Sequence, residues 1–146
     1  SGTEAMPAWC AFGAAVRALP PVLQEEKQMR KLWEYARAEL SQIPDVVLQS
    51  PEDGLPYILN FSCGGVKAET MLHFLEEKGI YVSSGSACSS NHPGISSTLQ
   101  AIGVPDKLLE STIRFSFSVY TTIEELDYTV EQLKELLPVL RRYVRR

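Results

Sequence analysis

Apolar residues recur at helical spacing in five stretches of the chain. Residues 7–19 are apolar on nearly every side, which predicts a helix that is buried all round or lies in an interface. Residues 22–43 alternate apolar and charged positions as an amphipathic helix does, and Pro44 ends this pattern. Shorter helices are predicted at 67–78 and 97–102, and a long one follows Thr122.

The last helix has a recognisable start. Thr122 and Glu125 stand three positions apart, as in a capping box, where the two side chains satisfy free backbone amides reciprocally. Apolar residues then recur at helical period as far as Val144. Pro138 interrupts this period, so we expect a kink or loosened last turns.

Three segments show the alternation of β-strands. The first surrounds Tyr57, Leu59 and Phe61, a second covers 80–82, and the third covers 112–119. In the third, Ile113, Phe115 and Phe117 are predicted to face one way, with Thr112, Arg114 and Ser116 facing the other. The resulting order, ααβαβαβα, predicts an α+β protein with a small open sheet covered by helices.

Composition limits the classes of function. At 146 residues, with 45% hydrophobic and 22% charged residues, we expect a single domain spanning 1–146. A net charge of -4 argues against a general nucleic-acid or anionic-lipid surface, and a cluster of C-terminal arginines is expected to complement the last helix dipole. The sequence shows neither a run resembling a membrane span nor a signal-peptide pattern, so a cytoplasmic location is expected.

The cysteines and histidines do not form a metal-binding pattern. Cys10, Cys63 and Cys88 are an odd set without a C-x-x-C pair, and His73 and His92 lie far apart. We therefore expect neither a disulfide framework nor a metal site. Cys10 lies in the apolar first helix and is expected in the core, whereas Cys63 follows a strand and is a weak candidate for chemistry.

Cys88 is the strongest candidate for a nucleophile. It lies in the polar segment Ser83–Ser90, rich in serine and small residues, which predicts an exposed and mobile loop. A reactive thiolate needs both access and groups that stabilise the anion, and the serines, loop amides and His92 are possible sources. From the residues alone, a loop cysteine without a task remains equally open.

Arg114 is the second candidate. It lies in the middle of a predicted strand, on the face opposite the aromatic residues. Its guanidinium can bind a carboxylate through two parallel hydrogen bonds. An ion pair with a neighbouring Asp or Glu is the alternative at this stage.

Together these segments resemble the C-terminal part of the cysteine desulfurases, pyridoxal-phosphate enzymes of the class V aminotransferase superfamily. The resemblance extends along the whole chain and is most specific for the subgroup with a long cysteine loop. Its landmarks are Ser1-Gly2-Thr3-Glu4, Asn60-Phe61-Ser62, Ser83 to Ser90, Ser111 to Ser116, and Thr121 to Tyr128.

The resemblance implies a fold and a set of roles. The fold is the small C-terminal domain of a fold-type I pyridoxal-phosphate enzyme, with a short, mainly antiparallel sheet. Cys88 would take sulfur from L-cysteine as a persulfide, leaving L-alanine, and pass it to an acceptor protein, for example for iron-sulfur cluster assembly. Arg114 would bind the substrate carboxylate, and Thr3 would reach the cofactor phosphate of the partner subunit in a homodimer.

Departures from the family pattern shape the expectation for this chain. No lysine lies in the context of the family's cofactor-binding lysine, and Ser118-Val119-Tyr120 replaces the usual glycine-arginine-aromatic run. We expect a detached small domain that is inactive and binds no cofactor alone, with residues 1–20 contacting the missing large domain or a partner subunit. Alternatives are a selenocysteine lyase and a cofactor-free persulfide carrier or interaction module.

Overall fold

The computed structural model describes residues 2, 4–19, 22–84 and 96–144. The described elements are mixed helices and strands, as the sequence predicts. In chain order they are α1 (Met6–Ala18), α2 (Val22–Ser41), β1 (Val46–Leu48), β2 (Ile58–Cys63), α3 (Ala68–Glu77), β3 (Ser83–Ser84), α4 (Ser97–Ala101), α5 (Asp106–Leu109), β4 (Thr112–Ser116) and α6 (Ile123–Val144).

The strands form one antiparallel sheet in the order β1-β2-β4-β3. β4 therefore lies inside the sheet, between β2 and the very short β3. The register places Arg114 of β4 opposite Asn60 of β2 on one side and opposite Ser83 of β3 on the other. This sheet confirms the predicted α+β class and the mainly antiparallel pairing.

The structure adds β1 and α5 to the predicted elements. Three strand residues in β1 and a single helical turn in α5 are too short to show a period in the sequence. The strand predicted at 80–82 is displaced to Ser83–Ser84, because Ile80 instead donates its backbone N–H to Leu75 and closes the end of α3. β4 ends at Ser116 rather than at 119, since Ser118 already bonds to the Thr121 hydroxyl in a turn.

The core lies between one face of the sheet and helices α2, α3 and α6. Ile113, Phe115 and Phe117 are buried there, as their alternation predicts. The rings of Phe61 and Phe115 meet edge to face with centroids 4.8 Å apart, a favourable aromatic geometry. We call this face of the sheet the inner face and the opposite one the outer face.

Helix α6 starts as predicted and connects distant loops at its other end. The Thr122 hydroxyl accepts from the Glu125 N–H at 3.2 Å, and the Glu125 carboxylate accepts from the Thr122 N–H at 3.0 Å. The helix continues through Pro138. Near its other end, Arg141 donates to the carbonyls of Gly64 at 3.0 Å and Pro44 at 2.8 Å. These bonds connect α6 to two distant turns, a role separate from the interaction expected between the C-terminal arginines and the helix dipole.

Trp33 fixes the loop between β1 and β2. Its ring is buried with the guanidinium groups of Arg30 and Arg37 stacked over it, and its indole N–H donates to the carbonyl of Ile58 at 3.0 Å. The two arginines also donate to loop carbonyls, Arg30 to Gly54 and Arg37 to Ser50. The loop is thereby attached to α2 by side chains from a single helix face.

Helix α1 has no buried residue. The expectation that Cys10 lies in the core is wrong, because Cys10 is exposed. An apolar helix forms here without a partner element covering it within the described residues. Its exposed large side chains are Met6, Trp9, Phe12 and Val16.

Candidate functional site

Arg114 projects from the outer face of the sheet. Strand alternation determines this, because Ile113 and Phe115 on either side of it are buried on the inner face. The helices of the core cover the inner face, so Arg114 remains exposed. The predicted position of this side chain is confirmed.

A polar row crosses three strands at Arg114. Cross-strand pairing places Asn60, Arg114 and Ser83 side by side on the outer face. Nη2 of Arg114 donates a hydrogen bond to Oγ of Ser83 at 3.3 Å. Asn60 and Ser83 are half-buried, so the row is partly shielded while the guanidinium faces solvent.

The outer face is closed at one end by α5. Thr112, predicted on the same face as Arg114, lies beneath α5 and is buried, because its hydroxyl donates to the Leu108 carbonyl at 2.9 Å. The Ser62 hydroxyl therefore donates to Thr112 at 2.5 Å, and the Gln49 amide donates to Ser62 at 3.0 Å. These hydroxyls are fully used in the fold and are not available to a ligand.

The charge of Arg114 is not neutralised by the described part of the chain. No carboxylate among the described residues lies within ion-pair distance of its guanidinium; the ion pairs found there involve other cations. The alternative of an internal ion pair thus receives no support from residues 2, 4–19, 22–84 and 96–144. An exposed guanidinium with a neutral hydroxyl partner is suited to binding an external carboxylate.

The cysteines differ sharply in environment. Cys63 is fully buried on the inner face, and this burial raises the pKa of its thiol to about 12, so it is a core residue without thiolate character. Cys88 and Thr3 lie outside the described residues. β3 ends at Ser84, four positions before Cys88 in the sequence, so the strand beside Arg114 leads directly into the cysteine segment.

Other kinds of site find little support. In the described ranges, no group of three or more His, Cys, Asp or Glu side chains could hold a metal ion. Nor does any described helix combine the length and apolar character needed to cross a bilayer. A cavity of about 530 Å³ is lined by Gly64, Gly65, Lys107 and Arg141 among others, but it lies beside β1, at the sheet edge away from β3 and Arg114.

The described elements form a small α+β fold in which the exposed Arg114 projects from the outer face of the sheet. The model of the family Aminotransferase class-V matches residues 1–129, and the chain belongs to that family. It is similar to a cysteine desulfurase, IscS, of Dictyoglomus turgidum, with 36% identity over 146 residues, covering 97% of this chain and 36% of that protein. The chain therefore spans about a third of the length of this relative.

Solved structures give the same relationship. A NifS-like protein superposes with a TM-score of 0.75 and 28% identity, covering 96% of this chain and 36% of the other. The cysteine desulfurase CsdA of Escherichia coli, in its S-sulfonic acid form, gives a TM-score of 0.74 and 25% identity over 96% of this chain. The predicted likeness to cysteine desulfurases is confirmed by sequence and by fold.

Proposed function

We propose that this chain is the C-terminal part of a pyridoxal-phosphate-dependent cysteine desulfurase. The observation that carries the proposal is the exposed guanidinium of Arg114, which has no acidic partner in the described ranges. It stands beside the strand that leads to Cys88. The named relatives and the family match support the same reaction class.

Arg114 binds the carboxylate of L-cysteine in this proposal, and Cys88 is the sulfur acceptor. The carbon–sulfur bond of the substrate and the S–H bond of Cys88 break, an S–S bond forms at Sγ of Cys88, and the proton lost from the thiol is balanced by one taken up by the substrate carbon, which gives L-alanine. Pyridoxal phosphate, when bound, supplies the electron sink that weakens the carbon–sulfur bond. An acceptor protein then takes the terminal sulfur, and Thr3 contacts the cofactor phosphate across a homodimer.

The described residues fit only part of such a site. Arg114 suits the substrate carboxylate, whereas no lysine in the chain occupies the context expected for holding the cofactor. The relatives are nearly three times as long, which supports a parent enzyme with a large domain. The exposed apolar face of α1 then contacts that large domain or the partner subunit, and the reaction takes place in the cytoplasm.

The test is a desulfurase assay on the natural polypeptide that carries this sequence, loaded with pyridoxal phosphate. L-alanine and sulfide formed from L-cysteine are measured together. We expect Cys88→Ser to abolish persulfide and sulfide formation, and Arg114→Gln to raise KM at least about tenfold, since it removes a charge-assisted pair of hydrogen bonds. Arg142→Gln, which removes an exposed charge on α6, is the matched control.

Two outcomes would reject the proposal. Turnover of L-cysteine that survives Cys88→Ser unchanged would exclude the persulfide role, and no turnover by the loaded wild type would exclude the desulfurase. A kcat/KM for L-selenocysteine far above that for L-cysteine would instead identify a selenocysteine lyase. Sulfur carried on Cys88 without any cofactor in the polypeptide would identify a persulfide carrier.

A further inference from the structure

We propose that Ser83 is a positioning residue for Arg114, holding its guanidinium so that one edge remains open to the substrate carboxylate. The inference rests on the proposed function and extends it to a residue whose role is not otherwise assigned. Its basis is the hydrogen bond from Nη2 of Arg114 to Oγ of Ser83 at 3.3 Å.

The register of the sheet makes this contact specific to one position. β3 has two residues, and each pairs with β4: Ser83 with Arg114, and Ser84 with Ile113. Ile113 faces the core, so Ser84 lies on the inner face and only Ser83 shares the outer face with Arg114. A shift of one residue in this pairing would turn the Ser83 hydroxyl to the inner face, away from the guanidinium.

The geometry of a guanidinium explains why one bond matters. Arginine can offer a carboxylate either the pair Nε–H and Nη2–H or the pair Nη1–H and Nη2–H. Each of the two hydrogens on Nη2 belongs to one of these edges. When one of them is donated to Ser83, that edge is occupied and the other edge remains free to bind a carboxylate. Ser83 thereby selects the edge that meets the ligand.

The hydroxyl also fixes a flexible side chain without reducing its charge. Ordering a free arginine costs much of its rotamer entropy when a ligand binds, and a contact made beforehand lowers that cost. On the other side of the row, Asn60 makes no side-chain hydrogen bond to Arg114 in the described structure. Because the serine is neutral, the positive charge remains available, whereas an aspartate at the same position would pair with it.

Four variants of the natural, cofactor-loaded polypeptide test the inference. Ser83→Ala should raise KM for L-cysteine about threefold to tenfold, the effect of one ordinary hydrogen bond, because Ser83 acts on the substrate only through Arg114, and kcat should stay within about twofold. Ser83→Thr keeps a hydroxyl in a strand and should restore KM to within about twofold. Ser83→Asp should raise KM more than the alanine does, because its carboxylate competes for the guanidinium.

Ser116→Ala is the matched control, since Ser116 lies on the same strand and face as Arg114 but not opposite Ser83. Its KM should equal that of the wild type. An unchanged KM in Ser83→Ala, or an equal rise in Ser116→Ala, would overturn the inference. A loss confined to kcat would also overturn it, because a positioning contact to the carboxylate acts on binding.

A second measurement needs neither cofactor nor turnover. In the 146-residue chain, 15N relaxation of the Arg114 Nε–H group should show restricted motion in wild type and Ser83→Thr. In Ser83→Ala this motion should approach that of the exposed Arg142. Equal mobility in wild type and Ser83→Ala would refute the contact itself, whereas an inactive loaded wild type would count only against the proposed function.

Discussion

Tyr35 donates a hydrogen bond to the carboxylate of Asp127, joining α2 to α6 across 92 positions of sequence. This bond is the main reason that the pKa of Tyr35 is raised to about 12 from its ordinary value of 10.0. Burial and the negative charges of Asp127 and Glu39 act in the same direction. The neutral phenol is therefore the form that the fold favours.

The pH dependence of stability follows from this pKa. Because the folded pKa exceeds the unfolded one, the contribution of Tyr35 is complete below about pH 10 and is lost as pH rises toward 12. We expect the difference in urea midpoint between wild type and Tyr35→Phe to be largest at pH 8 and to shrink above pH 10. Tyr143→Phe, at an exposed position, is the control; a difference independent of pH would contradict the assignment.

Arg141 is expected to stabilise the fold measurably. Arg141→Met keeps an apolar side chain but removes the donor to the Gly64 and Pro44 carbonyls. The free energy of unfolding should therefore fall by about 1–2 kcal/mol. The neighbouring Arg142 is exposed, and Arg142→Met should stay within about 0.5 kcal/mol of wild type. Urea denaturation compares the two, and equal losses would mean that charge near the helix end matters more than these contacts.

Long periodic segments were predictable because their pattern and their packing agree. Alternation along the strand predicts that Ile113, Phe115 and Phe117 share the buried face, and the structure confirms it. The capping box of Thr122 and Glu125 at the start of α6 is likewise predicted by local sequence and confirmed. β1 and α5 depend on tertiary contacts, since neither has enough residues to show a period. Segment 80–82 was assigned wrongly because its apolar residues close α3 and pack on the core before the strand begins.

The three thiols should react in a definite order. The predicted loop position of Cys88 favours it as the fastest, followed by the exposed Cys10. Cys63 should resist alkylation until the protein unfolds, because it is buried and its pKa is raised to about 12. Limited treatment with iodoacetamide at pH 7.5, read by peptide mass, gives the order; labelling of Cys10 before Cys88 would contradict the role proposed for Cys88.

Substitutions in α1 and in the core should differ greatly in their effect on stability. Phe12→Ser should change the free energy of unfolding by less than about 0.5 kcal/mol, since Phe12 is 66% exposed. Phe61→Ala, at a fully buried site, should lose about 3–5 kcal/mol. If α1 is an interface, Phe12→Ser should also reduce self-association in analytical ultracentrifugation; a large loss of stability instead would show that α1 packs on its own chain.

The candidate site also contains residues that the sequence could predict and residues whose surroundings depend on tertiary contacts. Arg114 could be found from the sequence because a charged residue within a strand pattern is conspicuous. The position of Ser83 could not be predicted, because its neighbour is set by the pairing of β3 with β4, 31 residues apart. The burial of Thr112 was missed for a related reason: α5, which covers it, was not predicted.

The two tryptophans provide separate optical signals. Trp33 is 2% exposed and contacts Arg30 and Arg37, whereas Trp9 on α1 is 64% exposed. Fluorescence from Trp33 will therefore follow cooperative unfolding, and emission from Trp9 will shift to shorter wavelength when another surface covers α1. With Trp33→Phe and Trp9→Phe as single-emitter variants measured in separate samples, Trp9 reports assembly and Trp33 reports folding without an added dye.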